Sequence, residues 1–320
     1  MAVTAAVLAL LAVLLGGTMP ASGQTRPVRI GALTESWGPT PAFVGLRDGL
    51  AALGYRENED FVIGVRFTQG DLEALRDAAR ELVEQRPDIL IVSLTAAAVA
   101  AAKATSRIPI VLTGGGDPVR MGLVKSFARP GGNITGVTAL GPELAAKRLE
   151  LFRDAVPHLR RVLFVYHATD PLAILELTEY RDAAKRLGLQ LVERPVTRIE
   201  EARAAIGGAS STEVDGLLAS EPVGLNIPGL VLEMASRMPT MFPNSFWTER
   251  GGLASYSADY YASGRQAARL VDKIIKGAKP GEIPIEANPL IELVVNLKVA
   301  QQLLLNVPAA VLIRADRVIE

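Results

Sequence analysis

The chain contains the stretch Asp88-Ile-Leu-Ile-Val-Ser93, and a second stretch of the same kind, Asp215-Gly-Leu-Leu-Ala-Ser220, follows in its other half. Each has an aspartate before a short apolar run and a serine after it. Such runs are typical of strands that are buried on both faces of a parallel sheet. A proline-containing strand start comes next in both halves, at Ile108-Pro-Ile110 and Met238-Pro-Thr240. The repetition predicts two similar α/β units in tandem.

Around these stretches, β-rich runs alternate with amphipathic helical stretches, which is the pattern of parallel sheets wrapped by helices. Strands are predicted over 28–33, 61–67, 88–93, 108–113, 161–166, 189–193, 215–219 and 240–242. Helices are predicted over 41–53, 71–85, 96–104, 172–187, 198–206, 227–237 and 259–276. The predicted fold class is therefore α/β, with two doubly wound parallel-sheet lobes.

Three extended segments are expected to cross between the lobes and form a multi-segment hinge. They lie at 133–137, 255–256 and 283–286. The predicted N-terminal lobe covers 24–136 plus about 257–282, and the C-terminal lobe covers 137–256 plus about 283–320.

The first residues have the features of a secretory signal peptide over 1–23. A continuous apolar stretch over 3–15 is followed by the small residues Ala21-Ser-Gly23, which suit a cleavage site. An uncleaved membrane anchor is the alternative, but Gly16, Gly17 and Pro20 interrupt the apolar run. The chain has no cysteine for lipid attachment. We expect a mature protein that begins near Gln24 and is located in the periplasm.

Composition argues against several classes of function. There are 34 Lys and Arg residues and 34 Asp and Glu residues, so the net charge is zero, whereas nucleic-acid binding requires a concentrated excess of positive charge. With no cysteine and two histidines, a metal centre is not expected. Gly114-Gly-Gly116 lacks the lysine of a phosphate-binding loop, and no nucleophile motif occurs. We expect neither a cofactor nor an enzyme.

Ligands of open parallel sheets lie against the loops that follow the strands' carboxyl ends. In this chain those loops carry hydroxyls, aromatic rings and few charges. Hydroxyls at a helix start suit a carboxylate, an acidic residue suits an ammonium group, and aromatic rings suit a bulky apolar side chain. The expected ligand-binding residues are Ser36, Trp37, Ser93, Thr95, Asp117, Tyr166, Glu221, Asn244, Phe246, Tyr256 and Asp259.

Within that set, Asp117 and Glu221 are the candidates for pairing with an ammonium group. A helix cap or turn is the alternative role for Ser93, Thr95 and Asp117. For the aromatic residues the alternative is packing in the core or at the surface.

Several segments taken together resemble one known family. They include Ile108-Pro-Ile-Val-Leu-Thr-Gly-Gly-Gly-Asp-Pro-Val119, Ala128-Arg-Pro-Gly-Gly-Asn-Ile-Thr-Gly136, Gly251-Gly-Leu-Ala-Ser-Tyr256, Leu293-Val-Val-Asn-Leu297 and Ile313-Arg-Ala-Asp-Arg-Val-Ile-Glu320. The chain resembles the solute-binding components of ABC transporters of the tryptophan/tyrosine-uptake type. The resemblance covers essentially everything after residue 23.

This resemblance implies the class I periplasmic-binding fold and an amino-acid ligand, with an aromatic or branched side chain as the leading expectation. It also implies a monomer whose partners are an ABC permease and ATPase. Thr95-Ala-Ala-Ala98 lacks the proline expected there, and Ser257 stands where glycine is usual, so the ligand stays open. Two alternatives are kept: a ligand-binding subunit of a membrane sensor, and a periplasmic enzyme.

Overall fold

The computed structural model of the protein describes residues 26–36, 38–69, 71, 73–139, 141–220 and 235–320. These residues form two α/β lobes, each built on one sheet. The predicted signal peptide over 1–23 lies outside the described residues, as does most of the helix predicted over 227–237.

The first lobe contains six parallel strands. They are β1 (Val28–Thr34), β2 (Phe61–Phe67), β3 (Ile89–Val92), β4 (Ile110–Thr113), β5 (Ile134–Thr138) and β11 (Glu286–Ala287). The helices packed on them are α1 (Pro41–Ala52), α2 (Ala74–Glu84), α3 (Thr95–Ala104) and α8 (Tyr260–Ile275). The strand order is β11-β5-β4-β3-β1-β2. Strands β3 and β4 are buried at every position because helices cover both faces of the sheet.

The second lobe contains seven strands. They are β6 (Arg161–His167), β7 (Gln190–Val196), β8 (Gly216–Ala219), β9 (Thr240–Phe242), β10 (Ala254–Ala258), β12 (Ile291–Asn296) and β13 (Arg317–Ile319). Its helices are α4 (Gly141–Ala155), α5 (Pro171–Leu187), α6 (Ile199–Gly207), α7 (Ser245–Thr248), α9 (Leu297–Gln302) and α10 (Ala309–Arg314). The order is β13-β12-β10-β9-β8-β6-β7, and only β10 with β12 pairs antiparallel.

The two lobes share one design. The first five strands of each have equivalent orders, β2-β1-β3-β4-β5 and β7-β6-β8-β9-β10. The mirrored aspartates also have equivalent contacts: Asp88 accepts the backbone N–H of Arg29 at 2.8 Å, and Asp215 accepts that of Arg161 at 2.7 Å. Each carboxylate thereby fastens the start of the neighbouring strand. The predicted pair of similar doubly wound lobes is confirmed.

The chain passes between the sheets after β5, after β10 and after β11. The segments predicted as crossings, 133–137 and 255–256, are instead largely strands inside the sheets, and both strands continue just past the predicted domain limits at 136 and 256. Glu286 pairs with Val137 in the first sheet, beyond the predicted limit near 282. An extended stretch cannot be distinguished from an edge or inner strand until its hydrogen-bonding partner is known.

The helix predicted over 71–85 begins at Ala74, because the Asp71 carboxylate accepts the N–H groups of Glu73 and Ala74 at 2.9 Å and caps the turn before it.

Helices α1 and α8 cross with their backbones in contact. A methyl group on Gly264 would overlap the carbonyl oxygen of Ala42, and one on Gly45 would overlap that of Tyr261. Beyond the crossing, α8 buries Leu270 and Val271 in the core of the first lobe. Glycine is therefore required at this crossing for lack of space, and the contact joins α8 firmly to the first lobe.

Candidate ligand-binding site

The loops at the carboxyl ends of the parallel strands of the two lobes face each other. Gly116 follows β4 in the first lobe, and a methyl group added there would lie 2.7 Å from Cδ1 of Leu172 in the first turn of α5 in the second lobe. Glu35, after β1, is close enough to Asp170, before α5, for their charges to interact. The loops of the two lobes thus enclose a cleft.

Among the described acids of the cleft loops, Glu35 is the most deeply buried. It is 2% exposed, and its Oε2 atom has no hydrogen-bond partner among the residues that the structure describes. Burial, together with the negative charge of Asp170, raises the pKa of its carboxyl group to about 8, although the backbone amides of Glu35 and Ala97 oppose the shift. The carboxyl group is therefore predominantly protonated at neutral pH unless a positive charge lies beside it.

Asp170 contributes a second buried acid from the opposite lobe. Its carboxylate accepts the N–H groups of Leu172 at 2.8 Å and Ala173 at 3.0 Å and so caps α5. Burial raises its pKa, whereas those two backbone hydrogen bonds and nearby His167 lower it. Two acids with raised pKa values thus face one another across the cleft.

The start of α3 connects two cleft loops. The N–H of Gly116 donates to Oγ1 of Thr95 at 3.1 Å, and the Thr138 hydroxyl donates to the carbonyls of Gly115 and Gly116, both at 3.1 Å. Leu94 is the N-cap residue of α3, with φ 73° and ψ 168°, and its own side chain does not cap the helix. A non-glycine residue in such a conformation costs about 1–3 kcal/mol and is typical of functional sites.

Ser93 and Thr95, both predicted to bind ligand, lie at this helix start and are 1% and 6% exposed. Ser36 and Asp117 lie in neighbouring loops, but their side chains serve the local backbone. The Ser36 hydroxyl donates to the carbonyl of Gly38 at 2.7 Å. Asp117 accepts N–H groups at 2.8 and 3.1 Å within its own turn. The turn is therefore the role that the structure gives Asp117.

Four predicted residues of the second lobe and its crossings also have structural contacts. Tyr166 lies in the core of the second lobe, stacked on Phe164 with the ring centroids 5.6 Å apart. Asn244 caps α7, and Asp259 caps α8 by accepting the N–H of Ala262 at 3.0 Å. The half-buried Tyr256 accepts a hydrogen bond from Arg148 at its backbone carbonyl.

The ring of Phe246 packs edge-on against Trp247, and the guanidinium group of Arg250 lies 3.4 Å from its centroid. Trp37 and Glu221 lie outside the described residues. Among the predicted residues that are described, Ser93 and Thr95 lie at the start of α3, and their contact with ligand stays a prediction.

A buried polar network supports the second-lobe side of the cleft. Arg148 on α4 and Glu176 on α5, 1% and 0% exposed, form an ion pair of 3.3 Å. The Ser220 hydroxyl, at the carboxyl end of β8, donates to Glu176 at 3.2 Å. Sequence reasoning missed this network as well as Glu35 and Asp170. The network could have been predicted from Glu176, because this charged residue occupies an inward position of a predicted helix.

Two negative findings apply to the part of the chain that the structure describes. No cluster of three or more His, Cys, Asp or Glu side chains is arranged to hold a metal ion. Within the same residues, no helix has the length and apolar character to cross a membrane.

Two doubly wound lobes of equivalent strand order, connected by three crossings and enclosing a cleft, define the periplasmic-binding class I fold. The sequence pattern of the ABC transporter substrate-binding protein family matches residues 30–319. The chain belongs to this family.

Three relatives extend the comparison. A tyrosine-binding protein of Clostridioides difficile (strain R20291) is 26% identical over 278 residues, which cover 86% of this chain and 80% of the relative. A conserved domain protein of Vibrio cholerae has 29% identity and a TM-score of 0.81, with 92% of this chain and 100% of that one covered. An ABC domain of Streptococcus pneumoniae in complex with L-Trp has 27% identity, a TM-score of 0.81 and the same coverage.

Proposed function

We propose that the protein is the extracytoplasmic solute-binding component of an ABC importer and captures an aromatic α-amino acid between its lobes. The observation that carries this proposal is the cleft in which Glu35 and Asp170, from opposite lobes, are both buried. Such an enclosed site surrounds nearly all of a small ligand. The tyrosine-binding relative and the relative bound to L-Trp support an aromatic amino acid as the solute.

In this proposal the ligand carboxylate lies at the start of α3, where the helix dipole favours an anion and the N-cap residue Leu94 provides no acceptor side chain. The hydroxyls of Ser93 and Thr95 border that position. Ligand contacts with both lobes stabilise the closed arrangement, since a ligand shifts an equilibrium only by its differential affinity for the two states. The permease recognises the closed monomer, and the ATPase drives uptake. The protein itself catalyses no reaction.

The apolar stretch over 3–15 supports export through a cleaved signal peptide, so the site of capture is the periplasm.

Titration calorimetry on the protein, stripped of bound solute by unfolding and refolding, tests the proposal. We expect saturable one-to-one binding of L-Trp or L-Tyr, weaker binding of L-Leu, and a rise in melting temperature, because a ligand that binds only the folded state stabilises it. At one thousand times Kd this stabilisation is about 4 kcal/mol. Failure of all proteinogenic amino acids to bind would contradict the proposal.

A further inference from the structure

We infer that Glu35 receives the ligand's ammonium group and that Asp170 approaches the same group from the opposite lobe, so that the lobes close most favourably around a cation. This inference rests on the proposed function and names the chemical group that the cleft selects. Glu35 takes the role that the sequence suggested for Asp117, because the Asp117 carboxylate already accepts two N–H groups of its own turn.

The first observation is an unpartnered buried oxygen. Oε2 of Glu35 is buried, and none of the described residues donates a hydrogen bond to it. A carboxylate oxygen without a partner in the interior is strongly unfavourable, so buried acids in native proteins are paired or protonated. Glu35 lies directly after β1, at the edge of the first sheet that meets the second lobe. A donor brought by the ligand would complete its hydrogen bonding.

The second observation is the charge around that oxygen. Among the described residues, the groups that face it are the carboxylate of Asp170, with His167 beside that acid, and the backbone amides of Glu35 and Ala97. Two carboxylates that approach each other cannot both stay ionised without a shared proton or a cation. An ammonium group has three N–H donors and one positive charge, so it can satisfy both acids together. A neutral or anionic solute brings no positive charge to the two acids.

A purely structural role for Glu35 is the alternative, because its carboxyl group interacts with the amide of Ala97 in the first turn of α3. Glutamine at this position keeps an acceptor oxygen for that amide and removes the charge. Glu35→Gln therefore separates the two roles. A matched control is Asp88→Asn, which removes one acid from the opposite edge of the same sheet, where it contacts Arg26 and Arg29.

The test is titration calorimetry of L-Trp and of indole-3-propionate, which lacks the amine, against the wild type and both variants. We expect Glu35→Gln to weaken L-Trp binding by tenfold or more and indole-3-propionate binding by less than about threefold, because only the amine has lost its charged partner. Asp88→Asn should bind both compounds as the wild type does.

Failure of the wild type to bind L-Trp or any other amino acid would reject the proposed function together with this inference. Unchanged L-Trp binding by Glu35→Gln would reject the inference alone.

A second measurement does not depend on the variant folding. Since the buried carboxyl group of Glu35 is mostly protonated at pH 7 without ligand, pairing with an ammonium group requires that it lose its proton. L-Trp binding to the wild type in two buffers of different ionisation enthalpy should therefore show net proton release at pH 7. Indole-3-propionate binding should not. Equal proton release for the two compounds would overturn the assignment.

Discussion

At the scale of single residues, two residues of the cleft are in energetically unfavourable states. Leu94 has a left-handed φ angle, and Glu35 is buried without a partner for one oxygen among the described residues. Both lie where the two lobes meet. Strain and desolvation of this kind persist only when the surrounding structure outweighs their cost, and they concentrate at functional sites.

Glu35 makes the stability of the ligand-free protein depend on pH. Its pKa rises from an ordinary value of 4.5 to about 8 on folding, so between these values the folded state binds more protons than the unfolded state. The free energy of unfolding therefore falls as pH rises through this window and levels off above about 8. At about 1.4 kcal/mol per pKa unit, the total is a few kcal/mol.

Chemical denaturation of the wild type and Glu35→Gln at pH 5 and pH 9 measures this effect. The variant should gain stability relative to the wild type between pH 5 and pH 9, because it has no proton to lose. Parallel pH profiles of the two proteins would contradict the burial of Glu35.

The sequence showed which loops form the cleft but not which side chains face it. Asn244 and Asp259 were expected to contact ligand, and the structure shows that each caps a helix; their contact with ligand stays a prediction. A polar residue after a strand has the same local pattern in both roles. Glu35 was passed over because its burial depends on Asp170 and α5, which lie far away along the chain.

At the scale of elements, the contact between α1 and α8 leaves no space for an added methyl group. Gly264→Ala would place a methyl group on the carbonyl oxygen of Ala42, and two backbones cannot separate without opening the core around Leu270 and Val271. We expect a loss of about 1–3 kcal/mol, the usual cost of overpacking. Urea denaturation followed by circular dichroism measures it.

The matched control is Gly64→Ala in β2, where no atom lies within 4 Å of the added methyl group. This variant should match or slightly exceed the wild type in stability, since alanine lowers the entropy of the unfolded chain. A Gly264→Ala variant as stable as Gly64→Ala would show that the two helices are less closely packed than described.

Strands and helices were the most predictable level. The short apolar runs that form β3 and β8 are buried throughout, and their repetition alone indicated two lobes of one design. The role of 133–137 was not predictable, because its place as β5 beside β4 depends on pairing between distant residues. Local periodicity reports how a segment is buried, and it carries no information on its partner.

At the scale of the whole molecule, the proposed ligand acts by holding the lobes together. The close approach of Gly116 and Leu172 across the cleft describes a closed arrangement. We expect the ligand-free protein to leave it, because no ligand then contacts both lobes. Small-angle scattering should show a smaller radius of gyration with saturating L-Trp than without it. Glu35→Gln should need at least tenfold more L-Trp to reach the smaller value. An unchanged radius for the wild type, with binding confirmed by calorimetry, would exclude hinge closure.

The interleaved course of the chain determines the order in which the molecule can be completed. The first lobe begins at β1, yet α8 and β11, which finish it, follow every parallel strand from β6 to β10. A growing chain that ends at Ala258 would carry an unfinished first lobe, with the face of α1 that receives Gly264 and Leu270 still bare. Contacts between such distant residues form slowly. The first half of the polypeptide to be synthesised is thus among the last parts to become compact. It stays incompletely folded until almost the whole chain has been synthesised.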